Sequence, residues 1–139
     1  MRSGGCSSAP FDQSNLALHV QDDPQSVLAN RRSLVESLNL PTQPLWLDQV
    51  HSTDIVYASG PYLPDSTDTL QADGSYSDQS GAVCAVLTAD CLPVLLCDRA
   101  GTRIAAAHAG WRGLCGGILR KTVATFKQPP DQILAYLGP

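Results

Sequence analysis

The sequence has 139 residues, the size of one domain, so we expect a single domain over residues 1–139. Its 9 Lys and Arg against 13 Asp and Glu give a net charge of −4, which argues against nucleic-acid binding because that needs a basic surface. With 16% charged and 43% hydrophobic residues, and with its longest weakly polar run broken by Asp90 and Pro93, the sequence argues against both disorder and a membrane span.

The first half of the chain predicts one helix and two short strands. Asp23-Pro24 places an N-cap before a proline at the first helical position, and apolar residues follow at helical spacing, so a helix is predicted from Pro24 to Leu38. Strands are predicted from Leu45 to Val50 and from Ile55 to Ala58. Residues 59–80 are rich in Pro, Gly, Asp, Ser and Thr and predict a long surface loop.

The second half predicts most of the sheet. Uninterrupted apolar runs predict strands from Ala82 to Thr88 and from Leu92 to Cys97, of the kind buried on both faces. A third strand is predicted from Arg103 to Ala107, a helix from Trp111 to Phe126, and a final strand from Ile133 to Leu137. The order is a mixture of α and β elements. Because Leu-Gly-Pro after a strand normally leads the chain into a further element, we expect the chain to be truncated.

The five cysteines are an odd number and form no CxxC pair. The opening has no basic segment followed by an apolar one, so we expect no secretory signal and a cytoplasmic location with reduced thiols. Cys84 and Cys97 lie in apolar runs and are predicted to be packed thiols, whereas Cys91 is a candidate for chemistry.

Three side chains with metal-binding chemistry lie at the ends of predicted strands. His51 follows one strand, Cys91 lies where two apolar strands meet, and His108 ends a third. Two imidazoles and a thiolate leave one position of a tetrahedral zinc open, as a catalytic site requires. The same residues also fit a metal-free site in which Cys91 is the nucleophile and a histidine its base, or a purely structural role. Their spacing does not choose among these interpretations.

Several other residues have both a functional and a structural interpretation. Arg112 stands four residues after His108 at the start of a predicted helix, where it either binds phosphate or forms an ordinary ion pair. Asp73, before Gly74, most simply belongs to a turn, with the alternative that it faces the site. His19 is interpreted as structural or solvated. Glycines such as Gly110 permit close backbone approach to a ligand or to a packed neighbour.

Several motifs resemble one bacterial family. Gln49-Val50-His51, residues 88–94 (TADCLPV) and residues 108–113 (HAGWRG) are similar to its signature. Residues 2–7 (RSGGCS) resemble its opening motif, and Leu137-Gly138-Pro139 resembles a stretch that follows a strand. The family is known variously as the peptidoglycan editing factor, the laccase-domain polyphenol oxidase or the purine nucleoside phosphorylase family.

The resemblance implies a fold and a site. The fold is an α/β sandwich with a mixed sheet flanked by helices, related to cysteine hydrolase-like toxin domains, and the family domain continues beyond Pro139, so we expect a C-terminal part to be missing. The family's catalytic and metal-binding triad falls on His51, Cys91 and His108. Family members bind Zn²⁺ there, and copper has been proposed for oxidase activity.

The leading hypothesis is a cytoplasmic, zinc-dependent purine nucleoside enzyme. It would catalyse phosphorolysis of adenosine, inosine or methylthioadenosine and deamination of adenosine, with Arg112 and Arg2 as phosphate contacts. We expect a nucleoside and phosphate as its partners, no nucleic acid or membrane, and a monomer or homodimer. The alternatives are a copper-dependent phenol oxidase, for which three histidines are too few for a conventional copper cluster, a hydrolase that uses Cys91 to edit a peptidoglycan precursor, and an inactive truncated remnant.

Overall fold

A computed structural model of the chain describes residues 3–62, 67 and 69–139, which divide into two compact units. The first unit comprises the described residues of Met1–Gln43 and Pro61–Asp68. The second unit comprises Pro44–Gly60 and Thr69–Pro139. In the described part of the chain, no helix has the length and apolar character needed to cross a membrane.

The first unit is built around helix α1, Pro24–Ser37, which confirms the predicted helix. Asp23 caps it, because its side chain accepts a hydrogen bond from the backbone N–H of Ser26 at 2.9 Å. The buried Asn30 on this helix holds the opening segment: it donates to the hydroxyl of Ser7 and accepts from the backbone N–H of Cys6. The glycine-rich opening is therefore hydrogen-bonded to the helix.

The second unit contains a mixed five-stranded sheet and two short helices among its described residues. The sheet has the order β2-β4-β6-β5-β7, in which β2 and β4 are parallel and the other neighbours are antiparallel, while β1 and β3 form a separate parallel pair. The strands are β1 Leu47–Asp48, β2 Ile55–Tyr57, β3 Leu70–Gln71, β4 Gly74–Ser77, β5 Leu92–Asp98, β6 Ile104–Ala109 and β7 Ile133–Leu137. The helices are α2 Trp111–Gly116 and α3 Ile118–Ala124.

The core of the second unit lies between one face of the sheet and the helical segment. Ile118 and Phe126 pack against alternate residues of β5 and β6, which are Val94, Leu96, Ala105, Ala107 and Ala109. Because side chains alternate along a strand, Leu95 points to the opposite face, where it is exposed. The predicted mixed sheet with flanking helices is confirmed, and the relation to cysteine hydrolase-like toxin domains stays a prediction.

One strand prediction and one loop prediction were wrong. Residues 82–88 form no strand, and their described sheet contact is a single bridge between Cys84 and Leu45. The predicted loop 59–80 contains β3 and β4, and β4 lies inside the five-stranded sheet. Its Gly and Ser residues fit there because Gly74 and Ser75 lie opposite Ala107 and Ala106, where small side chains are needed. Tertiary packing, rather than strand propensity, places this strand.

Two further predictions need correction. The helix expected from Trp111 to Phe126 is broken at Gly117, whose φ of 90° lies in the left-handed region that ends a helix. The strand β5 is not buried on both faces as predicted, since Leu95 is exposed, whereas residues 105–109 of its antiparallel neighbour β6 are all buried. The remaining predicted strands are present, with β1 shorter than expected and β6 extended to include His108.

Candidate metal centre

The second unit brings His51, Cys91 and His108 together, and we call these three residues the metal centre. His51 lies in the loop between β1 and β2, Cys91 directly precedes β5, and His108 lies in β6. Because β5 and β6 are antiparallel with Leu92 opposite Ala109, the start of one strand lies beside the end of the other. The register of the sheet thus brings Cys91 close to His108.

The distances within the metal centre suit a single small metal ion. Its three ligand atoms lie within 4.8 Å of one another, and Sγ of Cys91 is 3.7 Å from Nε2 of His51. Ideal tetrahedral zinc bonds would place a nitrogen and a sulfur ligand roughly 3.6 Å apart. Among the residues that the structure describes, this is the one group of three or more such side chains at metal-binding distances. One thiolate and two imidazoles are ligands that zinc and copper both accept.

Asp73 lies behind the metal centre, immediately before β4, and its side chain is fully buried, with 0% exposure. Its Oδ1 lies 2.8 Å from Nδ1 of His108, and because an ionised carboxylate only accepts, the ring must donate from Nδ1. The other ring nitrogen of His108, Nε2, is therefore the one left for a metal.

The same carboxylate holds the loop that carries His51. Three successive backbone N–H groups donate to it, from Val50 at 3.2 Å, His51 at 3.0 Å and Ser52 at 2.6 Å. His51 has a φ of 61°, in the left-handed region that residues with side chains seldom occupy. Successive N–H groups converging on one anion form a backbone nest, and here the anion is supplied by the protein itself.

Gly110 allows the ligands to approach each other. A Cβ at this position would lie 2.9 Å from Sγ of Cys91 and 3.0 Å from Cδ2 of His51, which is too close for normal packing. Its φ of −62° and ψ of 162° are accessible to any residue, so space rather than backbone conformation requires glycine here.

The protein shifts the pKa of the Asp73 carboxyl and the pKa of the Cys91 thiol in opposite directions. Burial acts to raise the pKa of Asp73, but the hydrogen bonds from His108, Ser52 and His51 outweigh it and hold the pKa below its ordinary value. Partial burial, followed by the nearby Asp90 and Asp73 carboxylates, raises the pKa of the Cys91 thiol. Asp73 is therefore ionised at neutral pH, and the surrounding protein does not by itself favour a Cys91 thiolate.

The remaining predicted site residues lie elsewhere or outside the described residues. Arg112 is exposed, with its guanidinium carbon 5.3 Å from the ring centre of Trp111, itself 69% exposed. The phosphate contact predicted for Arg2 lies outside the described residues. His19 is exposed in a short 3₁₀ turn of the first unit. All five cysteines are free thiols, and burial raises the pKa of Cys84.

Sequence reasoning left the role of Asp73 open. The structure places it directly against His108 and the loop of His51, so the alternative in which it faces the site is the one observed. The only signal in the sequence was an acidic residue beside Ala72 and Gly74 in an otherwise loop-like stretch. Its partners lie 21 to 35 positions away, and residue spacing alone does not identify contacts at that distance.

Comparison with protein families gives a match over the whole chain. The family model described as "Multi-copper polyphenol oxidoreductase laccase" matches residues 1–139. The chain is 53% identical over 139 residues to "Purine nucleoside phosphorylase YfiH" of Escherichia coli strain K12, a match that covers 99% of this chain and 55% of that protein. It is also 53% identical over 138 residues to "Purine nucleoside phosphorylase PA4543" of Pseudomonas aeruginosa, covering 99% and 54%.

A solved structure shares the fold. The crystal structure of Neisseria meningitidis protein NMB0706 superposes with a TM-score of 0.87 at 48% sequence identity, and the match covers 99% of this chain and 55% of that one. The chain therefore spans about half the length of the curated relatives and of the solved structure that it matches.

Proposed function

The chain belongs to the Multi-copper polyphenol oxidoreductase laccase family, and from this premise we propose that it provides the zinc-binding part of a purine nucleoside phosphorylase. The observation that carries the proposal is the convergence of His51, Cys91 and His108, with all three ligand atoms within 4.8 Å of one another. Relatives that are 53% identical and are named purine nucleoside phosphorylases support the choice of reaction.

Nε2 of His51, Sγ of Cys91 and Nε2 of His108 would hold the ion. When bound, zinc supplies a Lewis acid that stabilises developing negative charge on a neighbouring oxygen or activates a water molecule. Asp73 keeps the ring of His108 in the tautomer that presents Nε2, and Gly110 leaves room for Cys91 and His51 to face the same point. In our proposal, these residues would define where a substrate meets the metal.

In the proposed reaction, an oxygen of phosphate forms a bond to C1′ of the ribose while the bond from C1′ to N9 of the purine breaks. The base leaves with a proton on its nitrogen, and ribose 1-phosphate is the other product. We propose Arg112 as a phosphate contact because it follows Gly110 by two residues and its guanidinium is exposed. Arg2 is proposed for the same role on the family's opening motif alone. Adenosine, inosine and methylthioadenosine are the proposed nucleosides.

Adenosine deamination is a second proposed activity of the same centre. In this reaction, the oxygen of a water molecule would form a bond to C6 of the purine while the bond from C6 to the exocyclic nitrogen breaks. The protons of that water would go to the ring and to the leaving nitrogen, and inosine and ammonia would be the products. A zinc ion held by the three ligands would have a fourth position for this water and would make it more acidic. The exposed side chain of His51 leaves this side of the centre open to solvent. Free thiols at all five cysteines fit the proposed cytoplasmic location, where reduced cysteines are the rule.

Phenol oxidation with copper is the competing proposal, and the family description favours it. Oxygen reduction by a laccase uses several coppers, whereas the described part of this chain holds one group with metal-ligand spacing. One copper ion would nevertheless bind the same ligands with at least the affinity of zinc. Metal analysis of protein produced without added copper distinguishes the two: zinc in stoichiometric amount supports our proposal, and copper contradicts it.

The activity test uses inosine and phosphate. We expect release of hypoxanthine that depends on phosphate and falls by about a hundredfold or more in Cys91→Ala, because that variant removes a metal ligand. Cys115→Ala is the matched control, since Cys115 is an exposed free thiol outside the metal centre. Hypoxanthine release that is unchanged in Cys91→Ala, or absent from zinc-loaded wild-type protein, would refute the proposed function.

A further inference from the structure

We propose that Asp73 is a positioning residue whose single carboxylate holds both histidines of the metal centre in one arrangement. The proposal rests on the metal binding of the proposed function and is independent of its substrate. It accounts for why a fully buried carboxylate lies between β4, β6 and the loop before β2, where an unpaired charge would be costly.

On one side, Asp73 selects the tautomer of His108. Oδ1 accepts from Nδ1 at 2.8 Å, so the ring carries its proton on Nδ1 and keeps the lone pair of Nε2 for a metal. The backbone reinforces this contact, because the N–H of His108 donates to the carbonyl oxygen of Asp73 at 2.7 Å. The two residues are thus joined by both main chain and side chain, and the ring has little freedom to turn.

On the other side, Asp73 stabilises the conformation of His51. The N–H groups of residues 50–52 point to one place only because the backbone turns sharply there, with His51 at a φ of 61°. Such a conformation persists when its surroundings favour it strongly, and the carboxylate does so by accepting all three hydrogen bonds. Without a negative acceptor these three donors would lose their buried partner, and the loop would be free to move His51 away from Cys91.

The hydrogen bonds to His108 and to the His51 loop use the same oxygen atom of Asp73. Oδ1 of Asp73 accepts from both Nδ1 of His108 and the backbone N–H of His51, while Oδ2 accepts from Val50 and Ser52. An asparagine has the same shape but only one accepting oxygen, and its NH₂ group would face two or more N–H donors. If the NH₂ group replaces Oδ1, both histidines lose their hydrogen bond to residue 73; if it replaces Oδ2, Val50 and Ser52 on either side of His51 lose theirs.

The experiment compares Asp73→Asn with Asp98→Asn. Asp98 is the matched control because it is also a buried aspartate, 2% exposed, that accepts from two backbone N–H groups, but its partners are Thr102, Arg103 and Gln128 in the β5–β6 turn and the segment after α3. Zinc affinity is measured by competition with a chelator. We expect Asp73→Asn to bind zinc about tenfold to a hundredfold more weakly than wild type, and Asp98→Asn to stay within about twofold.

A second measurement already tests the proposal in the wild type, before any variant is compared. The ¹⁵N chemical shifts of the histidine rings in metal-free wild-type protein report the tautomer of each ring. We expect His108 to be the Nδ1–H tautomer in the wild type and in Asp98→Asn, and to be a mixture in Asp73→Asn. An Nε2–H tautomer in the wild type overturns the proposal, as does zinc binding by Asp73→Asn that equals that of Asp98→Asn.

The outcomes separate this inference from the proposed function. Weakened zinc binding in Asp73→Asn, together with no hypoxanthine release by the wild type, would support the role of Asp73 and reject the proposed reaction. Equal zinc affinity in the two variants, together with normal hypoxanthine release by the wild type, would reject the role of Asp73 and leave the reaction standing.

Discussion

Residues that bind no metal decide the geometry of the metal centre as much as its ligands do. Gly110 provides the space in which Cys91 and His51 approach each other, and Asp73 supplies the acceptor for the backbone around His51. The sequence drew attention to both residues but left their roles open. The ligands themselves were identifiable, because two histidines and a cysteine at strand ends are few and chemically distinctive.

Gly110→Ala tests the spatial requirement alone. The new Cβ would lie 2.9 Å from Sγ of Cys91, so we expect the thiol or the ring of His51 to be displaced and zinc affinity to fall by about tenfold or more. The backbone angles at Gly110 suit alanine, so the metal-free variant should fold. Chelator competition measures the affinity, and circular dichroism of the metal-free protein is the control. Zinc affinity equal to that of the wild type would show that the centre adjusts without loss.

At the scale of elements, the sequence predicted α1, β5, β6 and β7 well, but it missed the short polar strand β4 and predicted a strand at residues 82–88 where none forms. The helix α1 is predicted by an N-cap, a proline at its first position and apolar residues at helical spacing. The strand β4 has the sequence GSYS, which resembles a turn, and only its position between β2 and β6 makes it a strand. Residues 82–87 are apolar but only half-buried, and a single bridge from Cys84 to Leu45 is their described strand-like pairing.

The same distinction applies to the metal centre. The residue types of His51, Cys91 and His108 suggested a metal, whereas their meeting depends on the register that places Leu92 opposite Ala109. The role of Asp73 depends on hydrogen bonds that cross from the start of β4 to β6 and to the loop before β2. Such long-range contacts have no local sequence signal, and residue spacing therefore left open whether the three side chains formed one site.

The turn between β5 and β6 predicts a dependence of stability on pH. Four hydrogen bonds to the Asp98 carboxylate, of which that from the Thr102 hydroxyl is the strongest influence, lower its pKa to about 2 from the ordinary value of 3.8. Because the folded pKa is the lower one, the ionised form stabilises the fold. That stabilisation is complete above the unfolded-state pKa of 3.8 and is lost as pH falls from there towards 2.

We therefore expect Asp98→Asn to be less stable than the wild type at neutral pH, with the difference shrinking as pH falls through this window. Urea unfolding of both proteins at a series of pH values down to about 2 measures it. Asp131→Asn is the control, because the Asp131 carboxylate is exposed and accepts a hydrogen bond from the side chain of the neighbouring Gln132. A difference in unfolding midpoint that stays constant with pH would contradict the assignment.

At the scale of the whole molecule, a metal would connect parts of the second unit that are distant in sequence. His51, Cys91 and His108 come from the loop before β2, the start of β5 and β6. A ligand that binds only the folded chain at about a hundredfold excess over its Kd adds about 2.7 kcal/mol to the free energy of unfolding. We expect zinc to raise the melting temperature by roughly 5–15 °C. Calorimetry with zinc and with chelator should show this rise in the wild type and its loss in Cys91→Ala, and equal melting temperatures in the wild type would contradict it.

The strand β7 predicts how separate molecules behave in solution. Among the described residues, β5 is its one strand partner and its other edge is unpaired. It carries Leu134 and Tyr136 on the same face as Leu95 of β5, with Tyr136 64% exposed. Open, apolar strand edges pair with other chains, and charged residues on them prevent it. We expect the 139-residue chain to self-associate as its concentration rises and Tyr136→Lys to remain monomeric.

Leu38→Lys is the control, because Leu38 is an exposed leucine at the end of α1 and not on a strand. Sedimentation velocity decides: a wild-type mass that is independent of concentration, or an equal loss of association in Leu38→Lys, would show that β7 is not the surface involved.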